Sequence, residues 1–281
     1  MRPAFTLSRA AKLEGVGLHT GEKCSISFLP APRRAGITFL RSDIPGAKPI
    51  PARLEFVDST VRGTNLSFEG ARVHTVEHVL AACAAFGVTD LAVEMDGPEP
   101  PVMDGSSKAF TQTFAASGLT EQGQTEELFI SSSVEYRDGE VSYEAMPSDG
   151  PLSYAFTFLH KHPLVKRQEY AYFPGREVFE KEIAPARTFG FEEELEYLKK
   201  AGLAKGGSLE NAVVIARDGF LTSEGGLRYP DELVRHKLLD MTGDLWLLGL
   251  PLASMRVNAV CGGHKHNVAF AKLLQINGVR R

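Results

Sequence analysis

ELVRHKLLDMTGDLWLLGLPLASMRVNAVCGGHKHN, residues 232–267, reads as a helix, a strand and a glycine turn that opens another helix. The first helix begins near Glu232 and runs through RHKLLDMTGDLWLL. SMRVNAV (254–260) makes a strand, and the Gly-Gly pair leads into a helix from about Asn267. TVEHVLAACAAFGVTDLAVEMDGPEPPVMDGS, residues 75–106, runs in the same order. It gives a helix from about Thr75 to Phe86, ended by Gly87, then a strand over DLAVEM (90–95) and a proline-rich turn. A second helix follows near Ser107 to Ser117. The intervals His78–Asp104 and His236–His264 are nearly equal.

Strand-like segments precede each of these stretches. In the first half they are ISFLP (26–30), GITFLRS (36–42) and ARLEFV (52–57); in the second, LFISSSVEY (128–136), EVSYEAM (140–146) and LSYAFTFL (152–159). The order of elements therefore predicts an α+β protein of two similar domains, each a β-sheet layered with helices. Residues 1–124 form the first and 125–281 the second, meeting at the polar segment EQGQTEE (121–127), which reads as a linker. Residues 191–215, FEEELEYLKKAGLAKGGSLENAVVI, break the pattern with an amphipathic helix, a glycine-rich turn and a strand. Such an insertion either completes the core or shapes a substrate channel.

Composition narrows the function. The 281 residues are 43% apolar and 23% charged, which is globular, with a net charge of −4 and no basic stripe for nucleic acid. The longest apolar runs, near 79–86 and 245–252, are too short to span a bilayer. MRPAFTLSRAAKLEG lacks the apolar core of a signal peptide, and Cys24, Cys83 and Cys261 form no CxxC pair. A cytoplasmic enzyme without stable membrane insertion, acting as a monomer, is the expectation.

On a helix, His236 and Asp240 lie one turn apart on one face, where an imidazole and a carboxylate can grip one divalent ion. Asp244 extends that face. Taken alone, a His and an Asp pairing with each other on an exposed helix is the commoner case. In HTVEHVLAA (74–82), His74 suits the helix start as a cap or surface residue. Glu77 and His78 together suit base and ligand roles. In CGGHKHNVAF (261–270) the glycines present His264 at a helix start, and His266 cannot share its direction. Two His, a carboxylate, a nearby Glu and a spare His suffice for metal-assisted hydrolysis. A zinc site with three protein ligands lowers a water's pKa towards roughly 7, a carboxylate takes the proton, and a His stabilises or protonates what develops. The same three ligands fit Fe(II) in an oxygenase, and composition and spacing do not separate the two.

GVGLHTG (15–21), HTVEHVLAA (74–82), DGPEPPVMDGS (96–106), PARTFGF (185–191), GGS (206–208), RHKLLDMTGD (235–244) and GGHKHN (262–267) stand in one order. In that order the chain resembles the UDP-3-O-acyl-N-acetylglucosamine deacetylases of lipid A biosynthesis from Gly15 to Asn267. The resemblance implies a zinc enzyme (Zn2+, with Fe2+ an alternative) whose site lies in the cleft between two α+β domains. His78, His236 and Asp240 would be the ligands and Glu77 the base. His264, oriented by Asp244, would be the acid or oxyanion partner, and Thr188 would polarise the acetyl carbonyl. Lys237 would lie near the sugar or phosphate of the UDP-linked acylated amino sugar. The 191–215 insertion would enclose the acyl chain, with Leu195, Ala204, Ser208, Leu209 and Val214 among the residues contacting substrate. His19 matches a family position near the site, or simply caps a hairpin turn. Val141 stands where family members often carry a phosphate-contacting lysine, and AFTFLHKHP fits the uridine-contacting stretch imperfectly.

Overall fold

The structure is a computed structural model describing residues 1–281. Its first half holds β1 (Arg2–Leu7), β2 (Ala11–Val16), β3 (Lys23–Pro30), β4 (Ile37–Arg41) and β5 (Ile50–Pro51). A small sheet follows, β6 (Val57–Ser59), β7 (Asn65–Phe68) and β8 (Ala71–Val73). Then come α1 (Glu77–Phe86), β9 (Leu91–Met95), α2 (Lys108–Ser117) and β10 (Leu119–Thr125). The second half runs β11 (Leu128–Phe129), β12 (Val134–Asp138), β13 (Val141–Pro147), β14 (Ser153–His160) and β15 (Lys166–Tyr172). Next are α3 (Arg176–Val178), widening into a π-helical turn (Phe179–Ile183), β16 (Phe189–Phe191), α4 (Leu195–Lys200), β17 (Val213–Ala216) and β18 (Gly219–Leu221). The chain closes with α5 (Glu232–Trp246), β19 (Met255–Val260), α6 (His264–Asn277) and β20 (Val279–Arg280).

The halves share one topology. The first main sheet has the order β2-β3-β9-β4-β5 and the second β12-β13-β19-β14-β15. In both, the last-made strand sits in the centre, antiparallel to one neighbour and parallel to the other. Alternation sets the inward faces: along β3, Cys24, Ile26 and Phe28 are buried while their neighbours are not. Phe28 meets Phe110 and Phe114 of α2 edge-on, so the helices cover the sheet.

One apolar core runs through both halves, because α1 and α5 pack against each other between the two sheets. Helix α1, EHVLAACAAF, is small and apolar almost all round, as a helix covered on several sides must be. Gly243 lets α5 approach: a Cβ there would run into the backbone carbonyl of Glu77.

Several expectations need correction. Leu54–Phe56 form a 3-10 turn rather than strand, since ARLEFV turns to tuck Leu54 into the core. LFISSSVEY is broken between β11 and β12. The segment read as a linker is largely strand: β10 pairs along β1, matching Thr6 with Thr120 and Leu7 with Leu119. Helix α6 starts at His264, three residues before Asn267, with Gly263 extended ahead of it.

Candidate metal centre and the cavity beside it

The centre lies where the α1–α5 contact meets the start of α6. Glu77 and His78 occupy the first turn of α1, His236, Asp240 and Asp244 stand on successive turns of α5, and His264 opens α6. Asp240 Oδ1 is 3.3 Å from His236 Nε2 and 3.7 Å from His78 Nε2. That oxygen is buried and takes no hydrogen bond. His236 Nδ1 faces the Ala186 carbonyl at 3.0 Å; donating there leaves Nε2 with its lone pair towards Asp240. The ligand atoms of His78, His236 and Asp240 all fall within 4.8 Å of one another. An orphaned buried carboxylate oxygen facing two imidazole nitrogens is a donor set that fits a metal ion. Burial lowers His236 to about 3, keeping it neutral, the form in which an imidazole can bind a metal. Burial would raise Asp240, but His236, Lys237 and His264 hold it well below the usual carboxylate range.

Glu77 and His264 flank this cluster. His264 Nε2 lies 3.7 Å from Glu77 Oε1 and 3.9 Å from Asp240 Oδ2, and its Nδ1 is 3.0 Å from Asp244 Oδ2. Glu77, Asp240 and His264 form a second group of convergent donors. Burial pushes the Glu77 carboxyl up to about 7, against the pull of His264. Burial works against a charged His264, yet the Glu77, Asp244 and Asp240 carboxylates lift it to about 9. Lys237 Nζ donates to Asp240 Oδ2 at 2.7 Å and sits 5.2 Å from the centroid of Phe189.

Next to the centre opens a cavity of about 320 Å³ whose lining is more apolar than polar. Thr188 and Phe189 stand on it, and the Phe189 ring is 6.0 Å from that of His236. Leu195, Ala204, Ser208, Leu209 and Val214, five positions expected to contact substrate, all line it. His19 lies on its wall, with Nε2 2.9 Å from the Arg62 carbonyl. Arg62, beside it on the same lining, grips Glu194 with two hydrogen bonds of 3.1 Å.

The family model described as UDP-3-O-acyl N-acetylglycosamine deacetylase matches residues 4–275. The chain belongs to that family. A UDP-3-O-acyl-N-acetylglucosamine deacetylase of Anaeromyxobacter dehalogenans is 44% identical over 268 residues, 95% of this chain and 85% of its own length. One of Myxococcus xanthus is 42% identical over 272 residues, 95% of this chain and 86% of its own. One of Brucella melitensis is 40% identical over 270 residues, 96% of this chain and 94% of its own.

The remaining histidines of this deacetylase-family chain sort themselves by geometry. His74 precedes α1 and faces Asn65 Oδ1 at 3.0 Å, and His266 turns to Asp138 at 3.5 Å. Val141 begins β13 opposite Asp138, and His160 at the end of β14 stacks on Phe191 with centroids 4.0 Å apart. Sequence reasoning missed the supports. Arg187 and Glu232, both buried, pair at 2.8 Å and pin the ARTFGF segment to the first turn of α5. Buried Glu99 accepts from the backbone of His19 (3.0 Å), the backbone and hydroxyl of Thr20 (2.9 and 3.0 Å) and the Thr75 hydroxyl (2.8 Å). It thereby ties the GVGLHTG hairpin to the centre. A buried charge needs partners, so each carboxylate implied a hub, but nothing local in the sequence says with whom.

Proposed function

We propose that this chain hydrolyses the N-acetyl group of UDP-3-O-acyl-N-acetylglucosamine, giving acetate and UDP-3-O-acyl-glucosamine on the route to lipid A. The observation that carries the reading is the orphaned Asp240 oxygen between His78 and His236, flanked by Glu77 and His264 and opening on an apolar cavity. His78, His236 and Asp240 would hold zinc, with Fe(II) an alternative for the same donors. A zinc ion there supplies a Lewis acid for the amide carbonyl and brings water's pKa towards roughly 7. Glu77, near neutral in its pKa, takes the proton of the attacking water. His264, held through Nδ1 by Asp244, turns Nε2 to the developing oxyanion or the leaving amine. Thr188 polarises the acetyl carbonyl, and Lys237 faces the sugar or its phosphate. Leu195, Ala204, Ser208, Leu209 and Val214 enclose the acyl chain, each buried methylene of which contributes about 0.8 kcal/mol.

No helix is long and apolar enough to cross a membrane. We place the enzyme in the cytoplasm as a monomer acting on a nucleotide-linked substrate and not on nucleic acid. The test is incubation of the purified protein with UDP-3-O-acyl-N-acetylglucosamine, with and without a chelator. Acetate and a free amine should appear by mass spectrometry, and the chelator should abolish both. An acylated substrate left intact by metal-replete protein overturns the assignment.

A further inference from the structure

Thr64 lies on none of the three helices that carry the centre. It stands just before β7, in the small sheet of the first half, and is fully buried. All three of its polar groups are used on the site. Its N–H donates to Glu77 Oε2 at 2.9 Å. Its carbonyl accepts the N–H of Val76, the residue that opens α1, at 3.1 Å. Its hydroxyl donates to Asp244 Oδ1 at 2.5 Å. The preceding Gly63 permits the approach, since a Cβ there would press on Thr75 Oγ1 and Glu77 Oε1 at 3.1 and 3.2 Å.

Asp244 is itself fully buried and its two oxygens are served unequally. Oδ2 receives His264 Nδ1 at 3.0 Å and Asn267 Nδ2 at 2.8 Å, and Asn267 in turn accepts from Tyr143 at 2.5 Å. Oδ1 receives Thr64. A buried carboxylate oxygen stripped of its donor carries a desolvation penalty, and the group rotates to share the donors that remain. Rotation of Asp244 would draw Oδ2 away from His264 and turn the imidazole out of line with Glu77 and Asp240.

From this we infer that Thr64 is a positioning residue: it fixes Glu77 through its backbone and His264 through Asp244, so one residue of the first half aligns both proton-handling groups. The inference rests on the deacetylase reading. Thr64 does not line the cavity, and its hydrogen bonds go to Glu77, Asp244 and Val76 and not to the three candidate ligands, so its effect belongs in kcat and not in KM or metal content.

Thr64→Val keeps the shape and the backbone contacts and removes only the hydroxyl. Expected is a kcat about 10–100-fold lower, the usual loss when a partner that orients a site imidazole is removed. KM and metal content should remain close to wild type, the melting temperature should fall by no more than a few degrees for the lost buried hydrogen bond, and Thr64→Ser should recover most of the rate. In an Asp244→Ala background, where there is no carboxylate left to hold, Thr64→Val should cost little more. Wild-type kcat in Thr64→Val overturns the inference. So does a Thr64→Ser variant as slow as the valine one, which would make packing the cause. So do Thr64→Val and Asp244→Ala losses that multiply, which would mean Thr64 acts without Asp244. A wild-type protein that releases no acetate overturns the deacetylase reading itself, and this inference with it.

Discussion

The two halves repeat one sheet, and each is interrupted at the same point, between the edge strand (β5 or β15) and the long helix (α1 or α5). What fills the gap differs. In the first half β6, β7 and β8 pair antiparallel throughout, so close turns suffice and the insert folds flat onto the centre. There it delivers Thr64 to Glu77 and Asp244. In the second half β16 pairs with β17 in parallel. Parallel neighbours cannot be joined by a hairpin, so residues 192–212 must make a detour before β17 begins. That detour carries α4 and the GGS turn, and it walls the cavity. Strand direction decides that one insert seals the site and the other leaves room beside it.

If this division is right, substitutions at the sealed side should depress turnover whatever the acyl chain, and those in the detour should discriminate by chain length. The largest effect should come from His236→Ala, which removes a donor at the core of the centre. Metal analysis should find most of the ion gone and assays only background turnover; full occupancy would sink the ligand assignment. Glu77→Gln should hold its metal while kcat drops by roughly 10²–10⁴ on short and long acyl substrates alike, the range for general acid–base catalysis. Loss of metal in that variant would instead make Glu77 a ligand. Ala204→Phe fills the cavity wall, so long-chain substrates should suffer a raised KM at about 0.8 kcal/mol for each methylene excluded, with short-chain turnover spared. Equal kinetics on both would leave the detour merely structural. Least affected should be Arg62→Ala. Its ion pair with Glu194 is about a third exposed on each side, and such pairs contribute about 0.2–1 kcal/mol. A small, salt-dependent rise in long-chain KM is expected.

The helices and their glycine ends were legible because each is written in one short continuous stretch, and the duplicated order because it runs unbroken through residues 75–106 and again through 232–267. His236, Asp240 and Asp244 were legible for the same reason: a helix puts every fourth residue on one face. His264 was singled out over His266 by its glycines; in the structure His264 Nδ1 lies 3.0 Å from Asp244 Oδ2, while His266 turns to Asp138. Strands were harder. KRQEYAY, which forms β15, is mostly polar and offers little alternation to read, and EQGQT looks like a linker until β1 is beside it. LEF carries β-formers, yet burying Leu54 wins over strand propensity. The supporting contacts were out of reach. Thr64 and Asp244 are 180 positions apart, and Arg187 and Glu232 45 apart. No local pattern encodes a hydrogen bond between residues that distant.

The position of β9 and β19 at the middle of their sheets bears on how the chain is made. Each is the last strand of its sheet to leave the ribosome, yet it must slot between two strands already synthesised. The first sheet can close once Met95 has emerged. The second has to wait for Val260, with the detour, α5 and four of its strands already exposed. Pairings of such long sequence separation form slowly, and open strand edges invite wrong partners in the interval. During synthesis the first half should therefore resist a protease pulse early. The second should stay cleavable until β19 is out, and the centre, which draws on both, can assemble only in the final moments of translation.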